Sequence, residues 1–142
     1  MTSVENRQAE IVEEFGFFED WMQKYEHIIE LGKDLALIDA QHKTEDNLIK
    51  GCQSQVWLHA ELSEVGRVVF TADSDAIITK GLVGLITRVL TDLTPKEIIS
   101  ADLHFINEIG LHDHLSATRS NGLAAMIKQM KMYGLAFSGQ TA

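Results

Sequence analysis

Apolar positions follow two rhythms along the chain, a helical one at each end and a two-residue one in the middle. Ile11, Val12 and Phe15 share one face of a helix expected over 4–15, with Gly16 as its stop. A second helix is expected over about 18–33, with Phe18, Trp21, Met22, Tyr25, Ile28 and Ile29 at helical spacing. Asp20 offers a cap to its first turn, and Gly32 lies near its end. The polar stretch 33–47 reads as a long loop anchored by Leu35, Leu37 and Ile38.

Strict alternation begins after residue 55. Val56, Leu58, Ala60 and Leu62 alternate with Gln55, Trp57, His59 and Glu61. Past Ser63-Glu64-Val65-Gly66, the residues Val68, Phe70 and Ala72 face one way and Arg67, Val69, Thr71 and Asp73 the other. Two such runs around a glycine-containing turn predict a β-hairpin. Residues 47–50 could add a short third strand. Trp57 falls on the less buried face of this sheet, although core packing is the usual fate of a tryptophan.

The helical rhythm then returns. Asp73, Ser74 and Asp75 offer caps for a helix over about 75–91. It is apolar on most faces (Ile77, Ile78, Leu82, Val83, Leu85, Ile86, Val89, Leu90) and is therefore expected to be the central buried element. Thr94-Pro95-Lys96-Glu97 is a capping box with proline at the first helical position, opening a short helix to about Ala101. Asp102 can cap a helix ended by Gly110. Ser116 or Thr118 can cap a last one, to about 136, with Leu123, Met126, Ile127, Met130 and Tyr133 on its core face. Helices, hairpin, helices is an α+β order: a small antiparallel sheet with helices packed on one face. The length suits one domain, residues 1–142, and the polar ends 1–6 and 138–142 are expected to be disordered.

Charge narrows the function. The formal net charge is -9, and residues 1–50 hold 12 acids against 5 bases. Such a surface repels phosphate backbones, and no basic run offsets it, so nucleic acid is an unsuitable partner. No apolar run is long enough for a membrane span, and the N-terminus lacks signal-peptide character, so the cytoplasm is the expected location. One cysteine, Cys52, allows neither an internal disulfide nor a multi-thiolate metal site. In the cytoplasm its thiol stays reduced. No cofactor is expected. His112-Asp113-His114 offers too few ligands for a metal, and His27, His42, His59 and His104 form no ligand pattern.

Cys52 lies in Lys50-Gly51-Cys52-Gln53-Ser54-Gln55, between a polar loop and a strand. Gly51 permits a backbone conformation closed to other residues and leaves room for a partner. Lys50 and Lys43 would favour the thiolate, the reactive form. The bland alternative is a small buried hydrophobe. A Cys–His hydrolase with His42 as base is the enzymatic rival, but no pattern supplies an oxyanion hole or an orienting third group.

Gly51-Cys52-Gln53-Ser54-Gln55-Val56-Trp57 closely resembles the acceptor-cysteine motif of the SufE family. Three further stretches resemble it in order and spacing: Trp21 to Gly32, Asp73 to Leu82, and Leu115 to Leu123. Together the likeness covers about residues 8–135. It implies an α+β fold shared with IscU-type scaffolds, which have three cysteines where this chain has one. It implies a sulfur carrier that takes persulfide sulfur onto Cys52 from a SufS-like, PLP-dependent cysteine desulfurase, stimulates that enzyme, and delivers sulfur to a SufBCD-like iron–sulfur scaffold. Such a protein is a sulfurtransferase-type accessory, not a stand-alone enzyme. The alternative is a binding module that regulates a desulfurase without carrying sulfur. Gln53-Ser54 is closer to SufE proper than to the related CsdE branch. A homodimer is compatible with the sequence.

The same resemblance singles out Arg119, near the cysteine loop, for partner contact or sulfur transfer. Thr118 replaces the serine usual before it. A cation there could stabilise a thiolate or persulfide, although an arginine in a helix's first turn is also ordinary surface. Asp75 is implied as a regulator of how tightly the cysteine loop is held, with helix capping as the plainer role. Gly51, Gln53 and Ser54 complete the expected partner-contact loop.

Overall fold

The structure is a computed structural model that describes residues 3–52 and 54–141. Among these are seven α-helices and one two-stranded antiparallel sheet. The class is α+β. The helices are α1 (Ser3–Gly16), α2 (Trp21–Lys33), α3 (Ile77–Leu90), α4 (Pro95–Ser100), α5 (Phe105–Glu108), α6 (Leu111–His114) and α7 (Ala117–Thr141). The strands are β1 (Val56–Leu62) and β2 (Val68–Ser74), with Val56 opposite Ser74 and Leu62 opposite Val68.

Alternation sorts the hairpin into two faces. Val56, Leu58 and Ala60 of β1 and Val68, Phe70 and Ala72 of β2 are buried. Trp57, His59 and Glu61 lie on the outer face with Val69, Thr71 and Asp73. Helix α3 is the central element, packed against α1, α2, α7 and β2. Its backbone meets α2 where both carry glycine. A Cβ on Gly81 would stand 2.2 Å from the Ile28 carbonyl oxygen, and one on Gly32 would stand 2.9 Å from the Gly81 nitrogen. Only residues without a side chain allow that approach.

Several local signals act as expected. Asp20 accepts the Gln23 N–H at 2.9 Å and caps α2. Thr94 and Glu97 form the capping box, with Pro95 beginning α4. Ser116, and not Thr118, caps α7 by accepting the Arg119 N–H at 3.2 Å.

Other expectations are corrected. Residues 3–6 and 138–141 of the ends are helical, with α1 beginning at Ser3, Val4 buried and α7 running to Thr141, while residues 1, 2 and 142 lie outside the described residues. The third strand is a single antiparallel bridge, Leu48 to Trp57, because the chain turns toward Cys52 directly afterwards. Loop 33–47 contains two 3-10 turns, Ala40–His42 and Glu45–Asn47. Leu35 and Ile38 anchor it, while Leu37, like Met22 and Ile77, is exposed. None of Asp73, Ser74 and Asp75 caps α3 in the usual way: the N-cap is Ala76, without a side-chain bond. Asp102 caps no helix with its side chain. Instead buried Gln8 of α1 accepts the Phe105 N–H at 3.0 Å and donates to the Asp102 carbonyl at 2.9 Å. The helix expected up to Gly110 is the short α5, and Gly110, with φ of 79°, leads into α6.

Candidate functional site

Cys52 sits on a loop closed at its base by β1. The Ile49 N–H donates to the Val56 carbonyl at 2.8 Å. Asp75, just past β2, adds a second tie: its carboxylate accepts the Gln55 N–H at 3.0 Å, and its own N–H donates to the Gln55 carbonyl at 3.2 Å. The carboxylate is therefore engaged with the cysteine loop, not with α3. At the tip, Gly51 has φ of 95°, a conformation costly for any residue with a Cβ. Gln53 lies outside the described residues.

The thiol points to the start of α7. Its Sγ donates weakly to the Gly122 carbonyl at 3.6 Å. Cys52 is half-buried and opens on a cavity of about 90 Å³. Ser54, Thr79, Thr118 and Arg119 line it, together with Leu82, Gly122 and Met126. A water needs roughly 10–15 Å³ by a comparable measure, so one added sulfur atom fits. Burial pushes the Cys52 thiol up from its ordinary value. Lys43 does not act as the sequence suggests. Lys43 is committed to Asp73 at 2.9 Å and to the face of Trp57 at 4.6 Å. Trp57 is accordingly half-buried on the outer face and not in the core.

Arg119 is exposed at the cavity mouth, where it donates to the Tyr25 hydroxyl at 3.0 Å. Tyr25 thus links α2 to the site. Beside it Trp21 stacks on His114 at 4.0 Å. Cys52, Ser54 and Arg119 share the cavity, and Asp75 holds the loop from behind. Gly51 lies beside α7, where an added Cβ would stand 3.5 Å from that of Ala125. Thr79, Gly122 and Met126 are not singled out as site residues by sequence. Gly122 and Thr118 belong to the same stretch as Arg119, a signal that could have found them.

No histidine lines the Cys52 cavity among the described residues. His42, the base a Cys–His hydrolase would use, instead stacks on His59 with ring centroids 3.7 Å apart. His42, His59 and Glu61, which form no pattern in sequence, are brought together as potential metal ligands. His114 is engaged with Trp21 and with the Gly110 carbonyl.

A sequence model described as "SufE: Fe-S metabolism associated domain" matches residues 9–134. The chain belongs to the SufE family. Its role accordingly lies in iron–sulfur metabolism. The fold of this SufE chain is similar to the solution structure of a hypothetical protein from Thermus thermophilus, with a TM-score of 0.77. That match covers 94% of this chain and 96% of the other at 17% identity, a likeness of fold. Among the described residues of the SufE chain, no helix is long and apolar enough to cross a membrane.

Proposed function

We propose that the protein, acting as one domain in the cytoplasm, carries sulfur on Cys52 from a SufS-like cysteine desulfurase to a SufBCD-like scaffold, and stimulates the desulfurase by removing its product. The observation that supports this most is the half-buried Cys52 thiol facing a cavity with room for one more sulfur atom. Its walls suit the cargo. Ser54, Thr79, Thr118 and Arg119 carry groups that can donate to a persulfide anion, and Leu82 and Met126 add apolar surface beside them.

In the transfer, the Cys52 thiolate attacks the outer sulfur of the desulfurase persulfide. A Cys52 S–S bond forms, the desulfurase S–S bond breaks, and its electron pair leaves on the desulfurase cysteine. The proton lost by Cys52 is matched by one that the leaving thiolate can take, and no net oxidation occurs. Burial keeps Cys52 protonated at rest, so the loop must open at the interface for the anion to form. Arg119, exposed at the mouth, is placed to stabilise that anion. Delivery repeats the chemistry with Cys52 as donor.

Incubation with desulfurase and cysteine, followed by intact-mass measurement, is expected to add one sulfur atom to the wild-type chain and none to Cys52→Ser. Arg119→Ala is expected to slow that addition by about tenfold, the equivalent of one pKa unit of anion stabilisation. Full stimulation of the desulfurase by Cys52→Ser would leave the regulatory-module reading in its place.

A further inference from the structure

We propose that His42, His59 and Glu61 form a binding site for a divalent transition-metal ion, with zinc as the ion best suited to the donors. His59 and Glu61 lie two apart on β1 and so share the outer face of the hairpin. The 3-10 turn Ala40–His42 lays His42 over them. The two imidazoles converge on one carboxylate oxygen: Glu61 Oε1 is 3.1 Å from His59 Nε2 and 4.0 Å from His42 Nε2. All three ligand atoms lie within 4.8 Å of one another.

Two imidazole nitrogens and a carboxylate oxygen suit zinc, copper or nickel, and not magnesium or calcium, which prefer oxygen alone. A tetrahedral zinc about 2 Å from each ligand places them about 3.3 Å apart. The His42–Glu61 gap needs to close by less than an ångström. One rearrangement is required. The rings are stacked within 6° of parallel, so their lone pairs lie in separate planes and one ring must turn to aim at a shared ion. His42, on a short turn and partly exposed, is the ring free to do so. Charge favours the ion as well. Glu61 supplies a negative charge, while the neighbouring ammonium of Lys43 is held by Asp73 at 2.9 Å. Glu61 is 69% exposed, which leaves the fourth coordination position to water. A bound ion would pin the 40–42 turn to the sheet. That segment runs on through Leu48 toward Cys52.

The test uses the full chain without an affinity tag, in a Cys52→Ser background so that the thiol cannot supply the ligand. Zinc alone is titrated against a chromophoric chelator, and histidine ring nitrogens are followed by NMR. One zinc per chain is expected, with the ring resonances of His42 and His59 shifting together. His59→Ala is expected to weaken binding at least about tenfold. The pair His112→Ala and His114→Ala is expected to leave it unchanged. The NMR readout needs no substitution at the site and so does not depend on how a variant folds. Ring signals of His42 and His59 that ignore zinc, or equal affinity after His59→Ala, would overturn the assignment.

Discussion

At the scale of one residue, the proposed carrier role sets Cys52 two opposed requirements. The sulfur of a carrier must be shielded from water and reductants in transit, and it must be an anion within reach of another protein during exchange. Burial answers the first, and raises the thiol's pKa as a consequence. The second depends on how readily the loop opens, and Asp75 is the side chain that ties it from behind. Its carboxylate accepts one backbone N–H at an exposed position. A bond of that kind is worth about 1 kcal/mol, which is about a fivefold change in an opening equilibrium. Alkylation by iodoacetamide reads the open, ionised form. At neutral pH, native Cys52 is expected to react more slowly than Cys52 in the unfolded chain. Its rate should rise with pH past the inflection of a free thiol. Asp75→Ala is expected to raise the native rate several-fold with little change in thermal stability. Identical rates in the native chain and the variant would mean that the tie does not limit exposure.

At the scale of elements, the fold depends on helix α2 lying directly against α3. A Cβ at Gly81 would stand 2.2 Å from the Ile28 carbonyl oxygen, which is backbone and cannot swing aside. Gly81→Ala is therefore expected to destabilise the protein by about 3 kcal/mol in urea unfolding. Gly16→Ala is the control. A Cβ there meets nothing within 4 Å, and its effect should stay within about 1 kcal/mol. Comparable midpoints for the two variants would remove the α2–α3 approach from the account. The same elements explain what could be read from sequence. The caps at Asp20, Thr94 and Ser116 are local, each joining residues three apart, and such spacings are visible in a string of letters. The hairpin is local too. Gln8 serves the Phe105 N–H from 97 positions away, and no local pattern announces it. Asp75 shows the limit well: its place before an apolar helix suggests a cap, and only the strand register brings it to Gln55 instead. Cys52, Ser54 and Arg119 were recoverable because motifs carry them. The cavity that joins them, and the meeting of His42 with His59, arise from packing between distant segments.

At the scale of the whole molecule, acidic groups outnumber basic ones 21 to 12, yet several acids are paired where elements meet. Arg7 of α1 donates to the Val89 carbonyl at 2.9 Å, and so holds α1 at the end of α3. Farther along α1, Glu14 faces Arg88 of α3 at 3.1 Å and His27 of α2 at 2.6 Å. Burial alone would raise Glu14. The Arg88 and His27 bonds outweigh it, and the carboxyl sits below its ordinary 4.5. Asp73 follows the same logic: burial raises it, while Lys43, the Ser74 N–H and Lys80 bring it below its ordinary 3.8. A carboxyl lowered by folding stabilises the native state above its unfolded value, and that contribution is lost as pH falls through the folded one. The acid limb should therefore begin near pH 4.5 and continue below 3.8. His104 acts oppositely. The Glu5 bond, aided by Glu108 and opposed by burial, raises it above its ordinary 6.5. Its contribution is present below that value and declines as pH rises through the raised one. Stability is thus expected to peak on the acidic side of neutrality. Arg88→Met isolates one part of this balance. After allowance for solvent at a third-exposed pair, it should cost about 1 kcal/mol at neutral pH. Once Glu14 is protonated the arginine has little charge to bind, so the two unfolding curves should converge near the bottom of the acid limb. Urea unfolding at a series of pH values measures both curves. A constant offset between them down to the lowest pH would show that Arg88 acts by packing its aliphatic stem against α1 and not through the Glu14 charge.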